Sequence, residues 1–136
     1  CSLFILCCAP AQYLGRQGDE ILYLVGSHAL SHGSYRLFTS PGAPPLTVIT
    51  PGMPLLLLPV TWLAGEWYAA YQIFSALMLA AVPWLLWFWL KRRLDQSTSL
   101  LIGLLFGLSP LVLSQAGAVM SEVPYLFFVC VFLLWL

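Results

Sequence analysis

From Glu66 to Leu90 the chain runs twenty-five residues with no charge after the first, and Lys91-Arg92-Arg93 then closes the run. An apolar stretch of this length as an α-helix would be about 37 Å long, enough to cross a hydrocarbon core of about 30 Å with some tilt. Its aromatic residues gather toward the two ends, Trp67, Tyr68 and Tyr71 at one and Trp84, Trp87 and Trp89 at the other, as an interfacial belt would. The rest of the chain is written in the same language. Only 7% of residues are charged, against about 25% in soluble domains, and mean hydropathy is +0.92. The expectation is an all-α, polytopic transmembrane helical bundle. Formal net charge is zero, so a nucleic-acid partner or an acidic substrate held on a basic face is not expected.

Taken in order, residues 1–14 are apolar and read as the end of a first transmembrane helix in preference to a signal peptide, since no basic segment precedes them. The chain begins at Cys1 and stops inside an apolar run at Leu136, which suggests the N-terminal fragment of a longer protein. Residues 15–65 are expected to form an external loop with interfacial helices. Asp19 is placed as N-cap of a helix running to about Ser31–His32, with Gly33 as its stop. Ile21, Leu24, Val25 and His28 share one face of that helix, which is too short to span and suits the membrane interface. Pro41, Gly42, Pro44 and Pro45 make the following residues a shaped loop. Residues 51–65 are apolar but too short to span and carry Pro51, Pro54 and Pro59. Further spans are expected over 66–90, 97–115 and 119–136. Gly103 and Gly107 read as a close-packing G-x-x-x-G pair. The four cysteines show no metal spacing and read as small buried hydrophobes.

The basic cluster 91–93 places its turn in the cytoplasm by the positive-inside rule. If 51–65 does not span, Asp19, Glu20 and Glu122 all face the opposite side. Acids are costly near hydrocarbon, so the adjacent Asp19 and Glu20 invite either a capping role or a chemical one, as general base or divalent-ion ligand. His28 and His32, four apart, could both reach one metal ion, although interfacial histidines with polar partners are the commoner outcome. Metal ligation by Asp19, Glu20 and His28 is one option, and a divalent cation is the one cofactor the residues suggest. Arg36, beside Tyr35, could meet a lipid phosphate or simply snorkel. Glu122 could start its helix or face the same cavity, and Glu66 most simply starts its own helix.

Three stretches resemble the GT-C superfamily of polytopic glycosyltransferases, on the branch of protein O-mannosyltransferases and lipid A aminoarabinose transferases. Asp19-Glu20-x-x-Tyr23 followed by Leu30, Gly33 and Tyr35 is similar to that family's D-E-x-x-Y…G-x-Y in the first external loop. Thr50-Pro51-Gly52-Met53-Pro54-Leu55 is similar to its T-P-G-Y-P-L-L, with Met53 where an aromatic is usual. Ser109-Pro110 and then Ser121-Glu122 are placed like its P…S-E. The resemblance implies inverting transfer of a sugar from a polyprenyl-phosphate donor to a hydroxyl on a lipid, glycan or protein, on the non-cytoplasmic face. It implies Asp19 as general base with Glu20 as partner, a metal ion in some branches, and donor-phosphate cations later in a longer chain. Two readings from other classes stand beside it. A transporter or channel segment would carry mid-span acids and broken helices. A membrane scaffold would use the acids only as caps.

Overall fold

The computed structural model describes Ser2, Leu3, Ile5 and residues 18–136, so most of the expected first span over 1–14 lies outside the described residues. Six helices follow: α1 (Gly18–Ser31), α2 (Gly52–Ala64), α3 (Tyr68–Leu90), α4 (Gln96–Gly107), α5 (Pro110–Gln115) and α6 (Glu122–Trp135). No strand occurs among the described residues, only an isolated antiparallel bridge between Arg36 and Pro45. The protein is all-α. Among the described residues one helix, α3, is long and apolar enough to cross a membrane by length and composition. The chain divides into two compact units, residues 13–71 and residues 1–12 with 72–136.

In the Tyr13–Tyr71 unit, α1 packs along α2. Its helix stops as its sequence dictates. Gly33 adopts φ 73°, its N–H reaches the Leu30 carbonyl, and the Ser34 N–H reaches back to Ala29. That pair of bonds is a Schellman stop, which a residue with a Cβ would strain. At the other end the structure departs from expectation. Asp19 stands inside the first turn, after Gly18, and is not itself the cap. A carboxylate there still meets the unpaired amides and the positive end of the helix dipole.

The residues buried along α1 are Glu20, Tyr23, Gly26, Ser27 and Ala29. Gly26 makes the close approach to α2 possible, since a Cβ there would sit 2.9 Å from the Pro54 ring and 3.1 Å from Leu46. The opposite stripe, Ile21, Leu24, Val25 and His28, stays open. The loop after α1 closes as a tight hairpin through Leu37 N–H to Pro44 O, Leu46 N–H to Tyr35 O, and the Tyr35 hydroxyl to Ile49 O at 3.0 Å. Residues 51–65 do form a helix despite their prolines. Pro54 falls in the first turn of α2, where a missing N–H costs nothing, and Pro59 alone breaks an internal bond. Thirteen residues rise about 20 Å, short of a span.

The second unit is built from apolar shape. Ile5, Leu79, Ala80, Val112, Ala116 and Val123 form its core, with Phe106 and Leu126 packed on it. The expected single span over 97–115 is interrupted: α4 ends at Gly107 and α5 begins at Pro110, with Ser109 extended at ψ 131°. The residue before a proline is pushed out of the α region, and Pro110 is tolerated only as a new helix start. The expected span 119–136 is helical only from Glu122. Asp95 caps α4 by accepting the Thr98 N–H at 2.8 Å. Gly103 and Gly107 are both buried, and a Cβ on Gly103 would lie 3.1 Å from the Pro83 carbonyl, so this glycine seats α4 on α3. Cys130 is a buried free thiol, as expected of a small hydrophobe.

Candidate functional site

The two acids that opened the functional question are separated by the helix that carries them. Asp19 is exposed, whereas Glu20 is 1% exposed and turned into the packed face of α1. Adjacent helical residues point about 100° apart, so one of the pair can meet a substrate from outside while the other belongs to the interior. The expected Asp19–Glu20–His28 metal set does not form. His28 is nine residues beyond Asp19, a rise of about 13 Å along α1. Among the described residues no group of three His, Cys, Asp or Glu side chains could hold an ion.

The two histidines take polar partners instead. The carbonyl of His28 accepts from His32 Nδ1 at 2.9 Å and from Ser31 Oγ at 2.7 Å. A carbonyl cannot donate, so His32 carries its proton on Nδ1 and its Nε2 is the acceptor of the neutral ring. His28 Nε2 stands 3.5 Å from the Tyr71 hydroxyl.

That tyrosine belongs to a buried polar chain that the sequence reading passed over. Its hydroxyl donates to the Gly65 carbonyl at 2.6 Å and lies 3.1 Å from Thr61 Oγ1. Thr61 donates to its own Leu57 carbonyl at 3.2 Å and bonds Ser27 Oγ of α1. Ser27, Thr61 and Tyr71 are all buried, so α1, α2 and the first turn of α3 are tied by directional bonds. A signal was available. Ser27 lies seven residues after Glu20, on the same helical face, and Thr61 is the lone hydroxyl in an otherwise apolar α2.

The open stripe of α1 lines a cleft of about 370 Å³. Ile21, Leu24, Val25, His28 and His32 supply one wall, and Phe38, Glu66 and Tyr68 the other. Glu66, expected only to begin a helix, thus lines a cavity. Most of the lining is apolar, with two imidazoles, one carboxylate and Tyr68, whose hydroxyl is buried, as its polar side chains.

The remaining candidates do not line that cleft. Arg36 is exposed in the hairpin, paired with Pro45 through the backbone. The single proton of Tyr35 is engaged on Ile49, which makes it a brace of the loop. Burial, and then the nearby Tyr23, push its hydroxyl above the usual tyrosine range. Glu122 is in the other unit, exposed at the first turn of α6, where Ser121 Oγ donates to it at 3.4 Å. It borders an apolar cleft of about 180 Å³ with Leu79, Phe106, Val112 and Leu126. No family model, curated protein or solved structure matches this chain.

Proposed function

We propose that the chain is part of a polytopic membrane glycosyltransferase of the GT-C type, with Asp19 as general base on the non-cytoplasmic face. The observation that carries the reading is the presentation of Asp19: an exposed carboxylate in the first turn of a helix locked against α2, beside an acid that is buried. The first two motif stretches also support it, because Gly26 of α1 fits against Pro54 of the proline-rich segment. In the proposed step Asp19 accepts the proton of an acceptor hydroxyl. The hydroxyl oxygen bonds to the anomeric carbon as the sugar–phosphate C–O bond breaks, and the polyprenyl phosphate leaves with the electron pair. General-base catalysis of this kind contributes about 10²- to 10⁴-fold. Glu20 acts behind Asp19 as part of the support, and Arg36, exposed in the hairpin, is the proposed contact for lipid phosphate. The residues present do not fit a divalent ion at Asp19, so no step is routed through one.

The polytopic bundle, the interfacial position of α1 and α2, and the shared face of Asp19 and Glu122 belong to the same proposal. They rest on the apolar lengths and on the basic turn 91–93. One observation favours the second reading, a transporter or channel segment: the α4–α5 break is a discontinuous helix within an apolar stretch. Against it, Asp95 and Glu122 sit at helix ends, with no carboxylate in a helix interior of that unit. The deciding experiment replaces Asp19→Asn in the full-length protein and measures sugar transfer from a polyprenyl-phosphate donor. Loss of at least a hundredfold at normal expression is expected, and transfer at the wild-type rate would remove Asp19 from the chemistry.

A further inference from the structure

We infer that the cleft beside α1 binds a single-chain amphiphile with an ammonium head. The inference goes beyond the proposed transferase and does not depend on it. Ile21, Leu24, Val25 and Phe38 offer an apolar wall to an alkyl chain within a volume of about 370 Å³. Ile21 and Phe38 are 46% and 54% exposed, so this is apolar surface held open inside a concavity.

The head-group preference follows from where the protons are. His32 has its proton on Nδ1, engaged by the His28 carbonyl, which leaves Nε2 as a lone-pair acceptor. The Tyr71 proton points to the Gly65 carbonyl, so the 3.5 Å contact with His28 Nε2 is a bond only if His28 donates. Its Nδ1 is then the acceptor. Glu66 adds a carboxylate, which accepts only. Four polar side chains line the cleft: with His28 donating its Nε2–H to Tyr71, both imidazoles and the carboxylate face a ligand as acceptors, the hydroxyl of the fourth, Tyr68, is itself buried, and the one formal charge is negative. A phosphate or carboxylate head would bring acceptors to acceptors and charge to like charge. An ammonium supplies three donors and the opposite charge.

The test is photolabelling of the full-length protein in nanodiscs, at pH 8, with diazirine-bearing C12 alkylamine and C12 alkyl phosphate probes. Labelled peptides are then mapped. The amine is expected to label the segments around Leu24 and Phe38 at least fivefold more than the phosphate. Glu66→Gln, at an exposed position, should abolish that preference while labelling of other regions is unchanged. Leu24→Trp, which fills the cleft, should remove labelling by both probes. Equal labelling by the two heads, a preference for phosphate, or an undiminished amine preference in Glu66→Gln would overturn the assignment. Sugar transfer measured on the same variants keeps the two ideas apart, since loss of amine labelling leaves the Asp19 chemistry standing.

Discussion

In the unit of residues 13–71 the polar side chains Glu20, Ser27, Thr61 and Tyr71 are buried together with Leu57, Pro54, Ala29 and Leu46. In the other unit Ser75 and Ser99 are buried as deeply as Ile5, Val82, Val119 and Cys130, but its buried polar groups behave differently. Ser99 bonds the Asp95 carbonyl of its own capping residue, Ser75 Oγ has no hydrogen-bond partner among the described residues, and Gln72 reaches across sequence to Gly117 at 2.8 Å. Directional bonds set the register of the first unit, where a one-residue slip would orphan several hydroxyls at once. The second unit is held by shape, through an apolar core and the Gly103 seat on Pro83. Dispersion and burial are tolerant of small slips in a way that hydrogen bonds are not. If Asp19 and the cleft act as proposed, the unit that presents them is the one with the stricter device.

That contrast can be broken by substitution, with stability read from unfolding midpoints in detergent. Gly26→Val should cost most, about 3 kcal/mol, because its branches meet a proline ring already within contact range. Thr61→Val should cost about 2 kcal/mol, since it takes from the buried Ser27 hydroxyl its acceptor on α2. In the other unit Gly103→Ala should cost about 1 kcal/mol, the obstacle being one backbone carbonyl. Ser75→Ala should fall within about 0.5 kcal/mol of wild type or stabilise, because it removes an unpartnered hydroxyl. If Ser75→Ala cost as much as Thr61→Val, the distinction between the units would be lost.

The smallest effect concerns acid. The Thr98 N–H holds the Asp95 carboxyl below its ordinary range. A depressed folded value means the cap contributes above the unfolded carboxylate value, about 3.9, and fades as pH falls through the folded one. Comparing wild type with Asp95→Asn between pH 5 and pH 3 should show a slight extra loss in wild type only.

Much of this fold was legible in the residues. The 66–90 span became Tyr68–Leu90, and the Gly33 stop and the proline-shaped hairpin formed where the sequence put them. The failures have physical causes. A run of apolar residues hides a helix break, so 97–115 looked continuous although Ser109-Pro110 was in plain sight. Residues 51–65 looked damaged because prolines were counted without asking which lay in a first turn. The polar chain was only hinted at, for a different reason. Ser27 and Thr61 stand thirty-four residues apart, and only tertiary packing shows that their hydroxyls meet. Of the candidate site, the exposed position of Asp19 was within reach of sequence, and the part of Glu66 in a cleft was not.

The basic turn carries one further consequence, for the order in which the chain is made. Lys91 lies over Trp87 and Phe88, at 4.7 and 4.2 Å from the ring centroids, and Arg93 lies 4.6 Å over Trp89. Those rings belong to α3, which leaves the ribosome just before the cations do. Arg92 is different: its Nη1 donates to the Leu134 carbonyl at 2.9 Å, near the end of α6. Two of the three charges therefore find their partners at once, within a few residues of synthesis. The third waits for some forty more, and its bond forms only when α6 has been delivered with the correct orientation.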